Sequence, residues 1–260
     1  MDLNLTGRKA LITGASKGIG KAIAEQLAEE GCDLCLAARS GDELEALRDE
    51  LVAKHGVVVQ TFASDLSVSA NMHDLAEACA DTEILVNNAG AIPGGSLADV
   101  DEQRWRAAWD LKVFGYINLT RDMYAHMKAR GSGVIVNVIG TGGERPTATY
   151  IAGAAGNAAL MAFTRALGGA SPDDGIRVVG INPGPILTDR LEGLLQIWAA
   201  DKLGDSERWR EMMQPMPFER AGTVIECATM VAYLASDLSA YTSGTVITID
   251  AGAVNRGTLV

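Results

Sequence analysis

No stretch of the 260 residues approaches the ~20 consecutive apolar residues of a membrane span, so no transmembrane segment is expected. Cysteine is sparse. Cys32, Cys35, Cys79 and Cys227 are too few to frame a chain of this length with disulfides. Cys32-Asp33-Leu34-Cys35 does spell C-x-x-C, but it lies in an apolar run read as a strand, where positions i and i+3 face opposite ways. Buried small hydrophobes are the expected role. His55, His73 and His126 are scattered without ligand spacing, and no metal site is expected. Basic residues are outnumbered, 22 Lys+Arg against 33 Asp+Glu, for a net charge of −11, which disfavours nucleic acid and anionic membrane as partners. Met1-Asp2-Leu3-Asn4 has neither the basic nor the apolar stretch of a secretory leader, and a cytoplasmic protein is expected.

The chain is instead rich in short apolar runs: Lys9–Thr13, Asp33–Ala37, Val57–Phe62, Ile84–Asn87, Val134–Ile139, Arg177–Asn182 and Thr245–Ile249. Helical periodicity fills the spaces at Lys21–Glu30, Asp42–Lys54, Ser69–Ala80, Glu102–Arg130, Thr149–Gly168 and Thr223–Leu234. Seven strands joined by crossover helices predict an α/β fold, a doubly wound parallel sheet of Rossmann type. With 48% hydrophobic residues and no Pro/Ser-rich linker or repeat, residues 1–260 read as one domain. One segment, residues 190–218, interrupts the alternation with Leu194, Leu195, Ile197, Trp198, Trp209, Met212, Met213 and Met216. It follows a strand's C-terminal end, where open α/β sheets bind ligands. A lid over an apolar substrate is one reading; ordinary helical packing or a subunit contact is the other.

Thr13-Gly14-Ala15-Ser16-Lys17-Gly18-Ile19-Gly20 follows the first apolar run and opens the first helix. Strand, glycine turn and helix place backbone N–H groups against a pyrophosphate. The spacing G-x-x-x-G-x-G resembles that of the short-chain dehydrogenase/reductase family. Further motifs match that family in order: Asp65 with Leu66, at the adenine-holding position; Asn87-Asn88-Ala89-Gly90; Pro183-Gly184-Pro185-Ile186-Leu187-Thr188, like the nicotinamide-binding P-G-x-x-x-T; then Leu234-Ala235-Ser236-Asp237 and Asp250-Ala251-Gly252. The resemblance implies cofactor contacts from Gly14, Ser16, Lys17, Gly18, Ile19, Gly20, Arg39, Asp65, Leu66, Asn88, Ala89, Gly90, Pro183, Gly184, Ile186 and Thr188. An NAD site places an acid at the end of the second strand, about 20 residues past the glycine turn. Here Leu36-Ala37-Ala38-Arg39-Ser40 offers an arginine, and Lys17 adds a second cation. The pair suits a 2′-phosphate, so NADP(H) is expected over NAD(H).

The catalytic side departs from the family. There a Tyr exchanges the substrate proton, a Lys four residues later lowers its pKa, a Ser thirteen before holds the substrate oxygen, and an Asn on the preceding helix completes a relay. Gly156-Asn157-Ala158-Ala159-Leu160 through Thr164-Arg165-Ala166-Leu167 resembles the family's S-K-A-A-L-x-x-L-T-R-A-L, which puts Asn157 at the Lys position and Gly153 at the Tyr position. Gly140 then stands for the Ser, and Lys112, in Lys112-Val113-Phe114-Gly115, for the Asn. A competing register keeps Tyr150 as the catalytic tyrosine but loses the other three roles. Three readings stay open. The roles have moved to Tyr150, Lys112 and Thr141, with Lys112 lowering the phenol's pKa; other groups serve an alcohol/carbonyl oxidoreductase; or the chain is a non-catalytic NADP(H)-binding scaffold. Small residues crowd the helix around Gly153, and the resemblance implies a homo-oligomer, dimer or tetramer, packed through the Lys112 and Asn157 helices.

Overall fold

The computed structural model describes residues 2–256. Seven strands form one sheet: β1 (Lys9–Thr13), β2 (Asp33–Ala38), β3 (Val59–Ala63), β4 (Ile84–Asn87), β5 (Gly133–Val138), β6 (Ile176–Pro183) and β7 (Val246–Ile249). All neighbours pair in parallel, in the order β3-β2-β1-β4-β5-β6-β7. The order in which successive strands are added reverses between β1 and β4, and that switch point opens a crevice at the strands' C-terminal ends.

Both faces of the sheet are covered, which is why its strands read as continuous apolar runs rather than alternating ones. Ala10, Ile12, Leu34, Leu36 and Val136 pack on one face under α1 (Gly18–Glu29), α2 (Gly41–His55) and α8 (Val224–Ala235). Leu11, Cys35, Leu85, Ile135 and Val178 pack on the other under α3 (Ser69–Ala78) and α5 (Gly115–Arg130). Cys32 belongs to the first layer and Cys35 to the second, so the C-x-x-C pair is split across the sheet. Truncating a fully buried side chain such as Leu11 to alanine is expected to cost about 2–5 kcal/mol.

A buried polar chain crosses the sheet beside the crevice. Asn87 Nδ2 donates to Thr120 Oγ1 and to Asn137 Oδ1, both at 2.9 Å, and Asn137 Nδ2 donates to Thr164 Oγ1 at 2.9 Å. These bonds tie β4, β5, α5 and α6 (Ile151–Ala170) together where the ligand-bearing loops leave the sheet.

The helix expected over Glu102–Arg130 is present but not uniform. α4 (Glu102–Trp109) runs into a single π-helical turn, Asp110–Phe114, before α5 continues. Such turns are rare and often lie at functional sites; this one contains Lys112. The segment from 190 to 218 folds as α7 (Asp189–Leu203) and a 3₁₀ stretch, Ser206–Met213, which share a small core of Leu195, Ala199, Trp209 and Met213. Among the described residues, no helix is long and apolar enough to cross a membrane.

Candidate cofactor cleft and active site

A cleft of about 650 Å³ lies at the switch point. At one end the glycine turn contributes Gly14, Ser16, Lys17, Gly18 and Ile19. Gly14 and Gly18 hold φ of +66° and +59°, where side chains are disfavoured. A Cβ on Gly20 would sit 2.1 Å from the Gly14 carbonyl oxygen and 2.5 Å from Asn88 Nδ2, so α1 begins tight against the turn only because residue 20 is glycine. α1 opens with no side-chain cap and no acid in its first turn, leaving its leading N–H groups for an anion.

Asn88 holds the turn to the end of β4. Its Nδ2 donates to the carbonyls of Thr13 at 3.0 Å and Gly14 at 3.2 Å, while Thr13 Oγ1 accepts from the backbone N–H of Asn88 and Ala89. Arg39, Ser40 and Ser64 line the outer end of the cleft. Among the described residues, no carboxylate lies within ion-pair distance of Arg39 or Lys17.

At the other end stand Leu111, Lys112, Val138, Ile139 and Gly140, facing Pro183, Thr188, Asp189 and Arg190. Lys112 is buried, at 9% exposure. Its Nζ donates to the Val138 carbonyl at 2.9 Å, the Ile139 carbonyl at 3.2 Å and the Tyr116 hydroxyl at 3.2 Å; that hydroxyl donates in turn to Val138 at 2.8 Å. Gly90 makes room for the lysine stem, since a Cβ there would lie 2.4 Å from Lys112 Cδ. Burial pushes the Lys112 pKa down to about 7, and the Arg190 guanidinium pushes the same way.

Tyr150 stands at the N-cap of α6 with its ring over Gly153 and against the turn at Gly142. Burial raises its pKa, and Arg190 partly offsets the rise. Thr141 starts the short 3₁₀ turn that follows Gly140. Asn157 is buried beneath that turn: a Cβ on Gly140 would lie 3.1 Å from its Nδ2, and its Oδ1 is a buried acceptor without a partner.

A family model described as short chain dehydrogenase matches residues 8–196. The chain belongs to the short-chain dehydrogenase family. It is 32% identical over 255 residues to a 3-oxoacyl-acyl-carrier-protein reductase of Staphylococcus epidermidis, covering 94% of this chain and 98% of the relative. It is 29% identical over 259 residues to an NADPH-dependent reductase of Bacillus subtilis, covering 96% and 99%. Among solved structures it resembles the L-sorbose reductase of Gluconobacter frateurii complexed with NADPH and L-sorbose: TM-score 0.93, 31% identity, 99% of this chain and 100% of that one.

Against this short-chain dehydrogenase frame, most residues expected at the cofactor line the cleft: Gly14, Ser16, Lys17, Gly18, Ile19, Arg39, Leu66, Asn88, Ala89, Gly90, Pro183 and Thr188. Four are not among its lining residues. Gly20 packs on Gly14, Gly184 packs against Asp250, and Ile186 is buried in the core. Asp65 folds back to accept from the Ser67 N–H and hydroxyl. A second cavity of about 530 Å³ is lined by Met216, Pro217 and Phe218 of the expected lid segment and by Asp250, and by none of the residues expected at the cofactor or in catalysis.

The expected lysine–tyrosine pairing differs. The phenol beside the Lys112 ammonium is Tyr116, one helical turn on, and the Tyr150 pKa moves up rather than down. Lys112 reaches the carbonyls at the end of β5, whereas Tyr150 packs with Ile92, Val100, Ala108 and Ala152. Tyr116 was missed because a buried aromatic at helical spacing reads as core. Arg190 carried no clear signal, because Asp189 and Glu192 share its helical turn and an exposed arginine there reads as a surface charge.

Proposed function

We propose that this chain is an NADP(H)-dependent oxidoreductase that interconverts an alcohol and a carbonyl, with Lys112 holding the exchangeable proton. The observation that carries the reading is a buried ammonium on the wall of the cofactor cleft, brought by burial to a pKa of about 7. A general acid works best when its pKa is near the operating pH.

The cofactor is NADP(H). The uncapped start of α1 and the glycine turn fit its pyrophosphate, and Lys17 and Arg39, free of carboxylate partners among the described residues, fit its 2′-phosphate. When bound, it supplies or accepts hydride at the nicotinamide C4. The residues of the chain do the rest. Lys112 Nζ gives a proton to the nascent alkoxide during reduction and takes one back during oxidation. The hydroxyls of Tyr150 and Thr141 donate hydrogen bonds to the substrate oxygen. Tyr116 and the carbonyls of Val138 and Ile139 hold Nζ in place. The Asn157 Oδ1, buried and unpartnered beneath the turn at Gly140, is an acceptor left to be satisfied there.

An exposed apolar stripe on α7, Leu194, Ile197 and Trp198, supports an apolar portion on the substrate. Ala155, Ala158, Ala159 and Ala162 form an exposed small-residue face on α6, which supports a homo-oligomer packed through α5 and α6.

One observation favours a second reading, a binding protein without turnover: the three hydrogen bonds of Lys112 Nζ to Tyr116, Val138 and Ile139 engage all three of its N–H donors. Assays of NADP(H) turnover across alcohols and carbonyls separate the two. The enzyme reading expects turnover that falls about 10²–10⁴-fold in Lys112→Met and less in Tyr150→Phe, with NADP(H) affinity unchanged. Parent-rate turnover by Lys112→Met overturns the role of Lys112. Absence of turnover throughout the panel favours the binding protein.

A further inference from the structure

We infer that the substrate carries a carboxylate close to its reacting carbon and that Arg190 is the residue that binds it. The inference rests on the oxidoreductase reading and names the substrate class for that same cleft.

Arg190 is the second residue of α7 and lines the cleft opposite Lys112 and Gly140. It is exposed on the first turn of α7, which also carries Asp189 and Glu192, yet no carboxylate among the described residues lies within 4.0 Å of its guanidinium. Asp189 is the one carboxylate among the described lining residues, and it does not pair with Arg190. A single hydrogen bond fixes the side chain: Nη2 donates to the Ile92 carbonyl at 2.8 Å, reaching across from α7 to the loop after β4. The guanidinium is thereby aimed, while its other N–H donors have no protein acceptor among the described residues. A fork of donors in that state matches a carboxylate in two-point geometry.

The arm ends at the reacting end of the cleft. Ile92, which accepts from Arg190, packs in the same cluster as Tyr150. The guanidinium is also the one charge that acts on both Lys112 and Tyr150, lowering the proton affinity of each. An anion under Arg190 therefore sits beside the groups assigned to the proton and the substrate oxygen, as it would in a 2- or 3-hydroxy acid or the matching oxo acid. It also has a consequence for the chemistry. Neutralising Arg190 removes its push on Lys112, so substrate binding draws Lys112 toward its protonated form before reduction.

Calorimetry on the NADP⁺-saturated protein tests this without requiring turnover. The probes are lactate, 3-hydroxybutyrate, their methyl esters and glycerol 3-phosphate. At least one acid is expected to bind about tenfold or more tighter than its ester, with net proton uptake at pH 7.5. Arg190→Met should remove that preference, Arg190→Lys should restore part of it, and NADP⁺ affinity should hold in both. Equal binding of each acid and its ester overturns the inference, as does tightest binding by glycerol 3-phosphate. An Arg190→Met protein that loses NADP⁺ affinity as well assigns the arginine to the cofactor and overturns it too. Tight, Arg190-dependent binding of an acid with no turnover leaves the carboxylate site standing and removes the oxidoreductase reading instead.

Discussion

The ring of Tyr150 occupies the space beside Gly153: a Cβ built on residue 153 would lie 2.0 Å from Tyr150 Cζ and 2.5 Å from its hydroxyl oxygen. The two residues are one helical turn apart at the start of α6. Glycine at 153 is therefore what allows the phenol of residue 150 to lie along the helix toward the Thr141 turn. Gly153→Ala should lower stability by about 1–3 kcal/mol through overpacking, although alanine is the better helix former. Thermal melts of Gly153→Ala, Tyr150→Ala and the double variant check this. The account expects the double variant to be more stable than the sum of the singles, and additivity would contradict the steric pairing.

Cofactor preference follows from Arg39 at the outer end of the cleft, which has no carboxylate within ion-pair distance among the described residues. Fluorescence titration should show NADPH binding tighter than NADH. Arg39→Asp should reverse the order, because an acid there repels a 2′-phosphate and accepts a hydrogen bond from a ribose hydroxyl. Equal or tighter NADH binding by the parent protein would contradict the assignment.

Assembly is expected through the alanine face of α6. Light scattering at micromolar concentration should give two or four times the 27.3 kDa chain mass. Ala159→Arg, on the exposed part of that face, should shift the particle toward a single chain. A parent protein that runs as one chain would contradict it.

Lys112 also makes stability depend on pH. Its native pKa of about 7 lies below the ordinary lysine value of 10.5, so between those limits the unfolded chain binds more protons than the folded one. Stability then rises with pH across that window. At about 1.4 kcal/mol per pKa unit the full span approaches 5 kcal/mol, an upper bound because the three acceptors around Nζ favour the ammonium. Urea unfolding of the ligand-free protein from pH 6 to 10 should show the rise, and Lys112→Met should flatten it. The same slope in both proteins would contradict a lowered Lys112 pKa.

Much of this molecule is legible in its sequence because parallel strands buried on both faces leave unambiguous apolar runs. β1 and β4 fall on the expected residues, and the helices differ by a few residues at their ends. The glycine turn was equally legible, since Gly14, Gly18 and Gly20 each answer a local steric demand. The catalytic end was not. Lys112 and Tyr116 stand at i,i+4, a spacing the sequence offers. What singles the pair out is their shared burial against the Val138 carbonyl, and no proline or glycine in Asp110-Leu111-Lys112-Val113-Phe114 marks the π turn. Arg190 reaches the cleft through a side chain whose partner, Ile92, lies 98 residues away in sequence. Spacing along a chain does not report such contacts.

The central claim is that Lys112 titrates near neutrality inside the cofactor cleft. NMR of protein labelled with ¹³C-lysine, saturated with NADP⁺ and with Lys112 assigned by its loss in Lys112→Arg, follows the ε-carbon shift directly from pH 5 to 11. The account predicts a midpoint near 7. A midpoint near 10.5, the ordinary lysine value, would contradict it and leave Lys112 a permanently charged structural ammonium.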